Sequence, residues 1–258
     1  MNPRSSCKPK SNRKSKIKTV FISIFTLIIL AIGLFIGYSL DYYEADETAQ
    51  NLLITTEEVE LLNDSPIHFS PTEPSDIGVI FYPGGKVDEI AYTPLIQPLA
   101  KAGYETFIAD MPFHLAVFDV DAADSIIEDN PQIKQWYVGG HSLGATMGAT
   151  YAEDNVDKLA GLFLLAGYST ADLSDSNLPV LALYGTKDQV IDSEKVNEYR
   201  SNLPIDTTEI DILGGNHAQF GLYGEQDGDG QASISAEEQL ELTIQSIQEF
   251  IDSNQSNE

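Results

Sequence analysis

Gly140-His141-Ser142-Leu143-Gly144 places one serine two residues from a glycine on either side, after an apolar run and ahead of a helix-like one. A strand-to-helix turn of that composition holds a serine hydroxyl out as a nucleophile, and the glycines relieve crowding that side chains would create there. Gly139, Ala145 and Gly148 keep the start of the following helix small enough to lie close to a sheet. A serine hydroxyl attacks an acyl carbonyl only when a base takes its proton, normally a histidine held by a carboxylate. Four histidines are available. His68 falls on an early strand remote from the serine and reads as structural. His114 opens a helix-like stretch after "ADMPF" and can line a cleft. His141 adjoins the serine, and its backbone direction turns it away from the hydroxyl. His217, in the glycine-rich "ILGGNHAQFG" after the last strand, is the expected base.

The orienting acid is sought in "LALYGTKDQVID", where Asp188 lies nearer the strand end and is the expected partner. Asp192, four residues on, better suits the N-cap of the helix that follows. Acyl transfer also needs donors for the developing oxyanion, usually the amide after the nucleophile and one after an earlier strand. Leu143 supplies the first, and Gly85 in "FYPGGKVD" is assigned the second, with Lys86 as its rival.

These residues fall at the ends of a regular series of elements. Residues 57–62 and 66–71 read as two short strands, an antiparallel start to a sheet. Apolar strands follow at 77–83, 104–110, 135–140, 159–167, 179–185 and 208–215. Between and after them lie helical stretches at 91–103, 115–130, 144–155, 193–202 and 235–254. Such alternation predicts an α/β fold, a mostly parallel doubly wound sheet covered on both faces. Function in such sheets collects at the carboxyl ends of the strands. Only eleven residues, "YSTADLSDSNL", join two of the strands, too few for a helical cap, so an open and shallow site is expected.

Charge is distributed unevenly along the 258 residues. Residues 1–40 hold seven of the fourteen basic residues and no acid, so the remainder carries a formal charge of −33. A body so acidic repels nucleic acid and anionic lipid. "VFISIFTLIILAIGLFIGYSL", residues 20–40, has no charge and is 21 residues long. As a helix it spans about 31 Å, close to the thickness of a bilayer core. The run exceeds a signal-peptide core and lacks an A-x-A cleavage site, so it reads as an uncleaved signal anchor. The expected organisation is a basic cytoplasmic tail at 1–19, a transmembrane helix at 20–40, a linker at 41–51 and a catalytic domain at 52–258. Basic flanking residues keep the tail inside and send the domain across the cell membrane. Cys7, the one cysteine, falls in the tail, which rules out a cysteine nucleophile in the body. Gly33 and Gly37 form a G-x-x-x-G that offers a route to a weak homodimer.

"YPGGKVD", "GGHSLGAT", "YGTKD" and "GGNHAQFG" together resemble the α/β-hydrolase superfamily, and within it the small dienelactone-hydrolase-like and esterase-like branch, over residues 77–251. The resemblance implies a Ser142, Asp188, His217 triad, no metal or organic cofactor, and a small-molecule ester or related acyl substrate. "YPGG" stands where the family more often has a histidine-glycine pair, which leaves the second oxyanion donor open. Fold alone does not choose a substrate. An acyltransferase using the same acyl-enzyme and a non-catalytic cell-surface binding domain are the other classes compatible with the chain. One acidic loop, "YGEQDGDGQASISAEE", suggests calcium but fits an EF-hand in neither register: glycine at six and glutamate at twelve never coincide. It is expected instead to shape the rim beside His217 and cap the last helix.

Overall fold

The computed structural model describes residues 13–255 and divides the chain into two compact units after Asp41. Arg4, Cys7, Lys8 and Lys10 of the basic tail lie outside the described residues. The first unit is one helix, α1 (Arg13–Ser39), whose segment Val20–Ser39 has a mean hydropathy of 2.8. Length and composition make it a candidate membrane span. Most of its apolar side chains are exposed, Leu34 at 76% and Phe21 at 68%.

The second unit holds an eight-stranded sheet in the order β1-β2-β4-β3-β5-β6-β7-β8. The strands are β1 (Val59–Asp64), β2 (Ile67–Pro71), β3 (Ile77–Tyr82), β4 (Glu105–Ile108), β5 (Gln135–His141), β6 (Leu159–Leu165), β7 (Val180–Gly185) and β8 (Thr208–Ile212). The β1–β2 and β2–β4 pairings are antiparallel and all others parallel. Every residue of β3 is buried, as expected of a central strand covered on both faces. Val79 and Phe81 enter the core beneath α3 (Thr93–Lys101) and α7 (Ala236–Gln255), with Leu95, Ile96, Ile247 and Phe250. Ile80 and Tyr82 alternate to the other face, where α4 (Ala122–Asp129) and α5 (Leu143–Asn155) contribute Ile126, Ala145, Ala149 and Tyr151. Each such large apolar side chain contributes about 1.5–3 kcal/mol by leaving water.

Two segments differ from the sequence reading. Most of the expected linker at 41–51 belongs to the second unit. Asp46 caps the short helix α2 (Glu47–Asn51) through the Ala49 amide at 2.8 Å, and Ala45 and Ala49 are core residues. Tyr43 is stitched in by hydrogen bonds from its N–H to the Lys86 carbonyl and from the Asp88 N–H to its own carbonyl. The helix expected over 115–130 is regular only in α4; upstream lie short 3-10 turns, with Phe113 and His114 at positive φ and Asp119 non-helical at φ −151° and ψ 70°. Ala123 and Ile126 present one core-facing row of helix, whereas Val117 and Phe118 point out and gain nothing from helical order.

Candidate active site

The strand ends carry the strain. Among the described residues, five non-glycine residues have positive φ: Lys86, Phe113, His114, Ser142 and Ala166. They lie in the connections that leave β3, β4, β5 and β6. Backbone strain gathered at one rim costs of order 1–3 kcal/mol per residue and marks sites of function more often than accidents of folding.

Ser142 joins β5 to α5 with φ 53° and ψ −117°, a conformation that L-residues rarely adopt. Its N–H is held by the Leu165 carbonyl at 2.9 Å, and its carbonyl accepts from Thr146. The flanking glycines are explained by two different neighbours. A Cβ on Gly140 would come within 2.5 Å of the Gly144 backbone, across the turn, as the spacing suggests. A Cβ on Gly144 would instead strike the carbonyls of Tyr82 and Pro83 at the end of β3, so that glycine lets α5 approach the neighbouring strand.

β7 and β8 end side by side, and Gly185 has to be glycine because a Cβ there would meet the Gly215 backbone at 2.6 Å. This close approach brings Asp188 and His217 together: Oδ2 of Asp188 accepts from His217 Nδ1 at 2.8 Å, with both side chains 2% exposed. Oδ1 of Asp188 is fixed separately by the amides of Val190 and Ile191. Asp192 caps α6 (Ser193–Tyr199), accepting from the amides of Glu194 and Lys195, and does not join the pair. The His217 ring lies against His141, with centroids 4.6 Å apart, and so against the residue that precedes the serine. Its Nε2 is buried and has no hydrogen-bond partner, so no Ser142–His217 hydrogen bond is formed in this state. His217 Nε2 is left unclaimed, and catalytic hydrogen bonds often tighten only when substrate binds.

The Leu143 amide begins α5, where no helical carbonyl precedes it to accept its proton. Between the two candidates for the second donor the geometry discriminates. Lys86 N–H donates to the His114 carbonyl at 2.7 Å and is committed to the loop. Gly85 lies against Leu143, a Cβ on it coming 3.0 Å from Leu143 Cδ2, which puts the two amide-bearing segments side by side.

Tyr92 links that loop to the serine's neighbour. Its hydroxyl accepts the Gly84 N–H at 3.0 Å and lies 2.8 Å from His141 Nδ1. Burial raises the Tyr92 phenol well above its ordinary pKa, so the hydroxyl stays protonated beside His141. Tyr92→Phe leaves a buried amide and a buried imidazole nitrogen without partners, and is expected to destabilise the fold by about 1–3 kcal/mol in urea unfolding. Burial, and secondarily the charge of His217, hold His141 well below its ordinary 6.5. The unfolded chain then binds the extra proton first. Stability from this group is complete above 6.5 and is lost as pH falls toward the depressed folded value, by up to about 1.4 kcal/mol per unit. Urea midpoints measured from pH 7 to pH 5 should fall, and fall less in His141→Gln.

The remaining histidines have other partners. His68 pairs with Glu105 at 2.8 Å and stacks on Phe107, a structural role on the sheet. His114 stacks on Tyr42 at 4.1 Å beside the Lys86 loop. The sequence reading did not single out Tyr92 or Gln239, whose amide holds both the N–H and the carbonyl of Asn216. Each sits inside a helical pattern with no motif around it. Burial of a polar residue on a core-facing row was the one available signal.

A mostly parallel sheet with a strained serine on a central strand-to-helix turn is the architecture of an α/β hydrolase. The chain belongs to that family: the sequence model of the alpha/beta hydrolase family matches residues 78–241. No curated protein matches the sequence. Among solved structures it is similar to Est1E from Butyrivibrio proteoclasticus, at 14% identity and a TM-score of 0.55, covering 78% of this chain and 100% of that one. It is also similar to carboxylesterase CesB (YbfK) from Bacillus subtilis, at 10% identity and 0.57, covering 80% and 95%. A third is a membrane phospholipase A described as a bacterial virulence factor, at 12% and 0.57, covering 92% and 99%. At these identities the likeness is one of fold.

Proposed function

We propose that the protein is a membrane-anchored serine hydrolase that cleaves a small ester or related acyl compound on the outer side of the cell membrane. The observation that carries this reading is the buried Asp188–His217 pair, its second imidazole nitrogen unclaimed, packed against the residue that precedes a strained serine. Ser142 Oγ attacks the acyl carbonyl while His217 Nε2 takes its proton. Asp188 holds the ring in the tautomer that leaves Nε2 free and stabilises the imidazolium that forms. The amides of Leu143 and Gly85 receive the oxyanion. Protonated His217 then releases the alcohol, and water attacks the acyl-enzyme by the same route. The esterase and phospholipase folds among the similar structures agree with this chemistry.

No helix is present between β6 and β7, so no helical cap closes over Ser142 from that connection. This favours short or surface-displayed acyl groups over long buried chains. Hydrolysis of p-nitrophenyl acetate by the full chain in detergent, against the Ser142→Ala variant, tests the activity; equal turnover by the two would overturn it. The anchor and its orientation rest on the charge-free stretch of α1 following a basic tail. Protease added to intact protoplasts is expected to remove the domain from 42 onward, and full protection would refute the outward placement.

A further inference from the structure

The acidic loop expected at the rim beside His217 does more than border it. Asp229 spans two other loops with its carboxylate. Oδ2 accepts the Ala218 N–H at 2.9 Å, and Oδ1 accepts the Gln189 N–H at 3.2 Å together with the Gly230 N–H of its own loop at 2.7 Å. Ala218 follows His217 in the chain and Gln189 follows Asp188. The next residue reinforces the bridge. Gly230 lies so close to Lys187, which precedes Asp188, that a Cβ would collide with the Lys187 carbonyl. Asn216, which precedes His217, donates its side-chain N–H to the Gly230 carbonyl at 2.8 Å. Asp229 and Gly230 thus grip the residues on both sides of Asp188 and of His217.

We propose that Asp229 is a positioning residue: it sets the separation and orientation of the Asp188–His217 pair. The proposal rests on the reading of those two residues as acid and base. Asp188 and His217 come from different strand ends, so their hydrogen bond survives only if two loops keep their spacing. The direct backbone link between those loops at this level runs from Lys187 N–H to the Gly215 carbonyl at 2.8 Å, one residue before Asp188 and two before His217. Asp229 adds the link on the far side of both residues, so each is held from two directions. A carboxylate is suited to this because each of its oxygens accepts an amide proton. Asparagine keeps one acceptor and turns an NH₂ toward the other N–H; alanine keeps neither. Small misplacements of a general base are costly, on the order of 100-fold in rate for about 1 Å.

The experiment uses the full chain in detergent as wild type, Asp229→Asn and Asp229→Ala. A fluorophosphonate counts the competent serines, and p-nitrophenyl acetate hydrolysis gives kcat per counted serine and KM. The expected result is a fall of roughly 10- to 100-fold in kcat per counted serine, deeper in Asp229→Ala, with KM little changed. A purely structural role lowers the number of competent serines or the unfolding midpoint while leaving turnover per serine intact. That outcome in the isosteric Asp229→Asn overturns the proposal, and Asp229→Asn carries the test if Asp229→Ala does not fold. A wild type that neither reacts nor turns over refutes Ser142 as nucleophile and the proposal with it. An active wild type with unaltered variants refutes the role of Asp229 alone.

Discussion

Replacing Ser142 with alanine is expected to lower kcat for p-nitrophenyl acetate by about a millionfold, leaving only what bound donors and proximity supply. The reason is that nothing else on this rim substitutes for the hydroxyl. The body contains no cysteine, and Ser142 is the serine that the strand-to-helix turn presents at φ 53°, between His141, which lies against His217, and Leu143, which lies against Gly85. Alanine at this position keeps the Cβ that the strained backbone already tolerates, so the fold is expected to remain. A matched unfolding midpoint with abolished turnover separates loss of the nucleophile from loss of structure. Residual activity within tenfold of wild type would mean that another group performs the attack.

The second large effect belongs to Asp188→Asn, expected to reduce kcat by roughly 10⁴-fold. Oδ1 of the new side chain can still accept from Val190 and Ile191, so the loop has its anchors. The amide NH₂ then faces His217 Nδ1, which must become the acceptor. The ring proton moves to Nε2, and the nitrogen that should receive the serine proton is occupied. Asp192 provides the control. Its carboxylate caps α6 at Glu194 and Lys195, so Asp192→Ala is expected to cost about 1 kcal/mol of stability. Turnover should be unaffected. Steady-state kinetics on the two variants tell which aspartate orients the base; equal losses in both would leave Asp188 without its special role.

Much of this was legible because the fold places function at strand ends. Apolar runs with helix-like stretches between them locate β3 to β8, and the residues just beyond β5, β7 and β8 are the three that the site reading needs. Local signals also separated Asp188 from Asp192, since the second is followed directly by a helix that wants a cap. What was not legible depends on partners distant in sequence. Tyr92 and His141 meet across 49 residues, and Gln189 and Asp229 across 40, so no window around either shows the contact. The acidic loop is legible as a rim beside His217 rather than a cation site, but its contacts are not: Asp229 accepts backbone amides from two other loops and Gly230 makes room for a carbonyl. The 41–51 segment reads as linker because a five-residue helix with one small core side chain, preceded by Ala45, leaves almost no periodic trace. The 115–130 stretch erred the other way. Its apolar residues have helical spacing, yet Val117 and Phe118 are exposed and the chain turns irregularly until Ala122.

Reaction of the full chain with a fluorophosphonate, followed by mass spectrometry of its peptides, reaches the central claim most directly. The account predicts a single adduct on Ser142, formed quickly by the wild type and slowed by orders of magnitude in His217→Ala. No adduct, an adduct on a different serine, or equal labelling rates in the two proteins would contradict a serine activated by the Asp188–His217 pair.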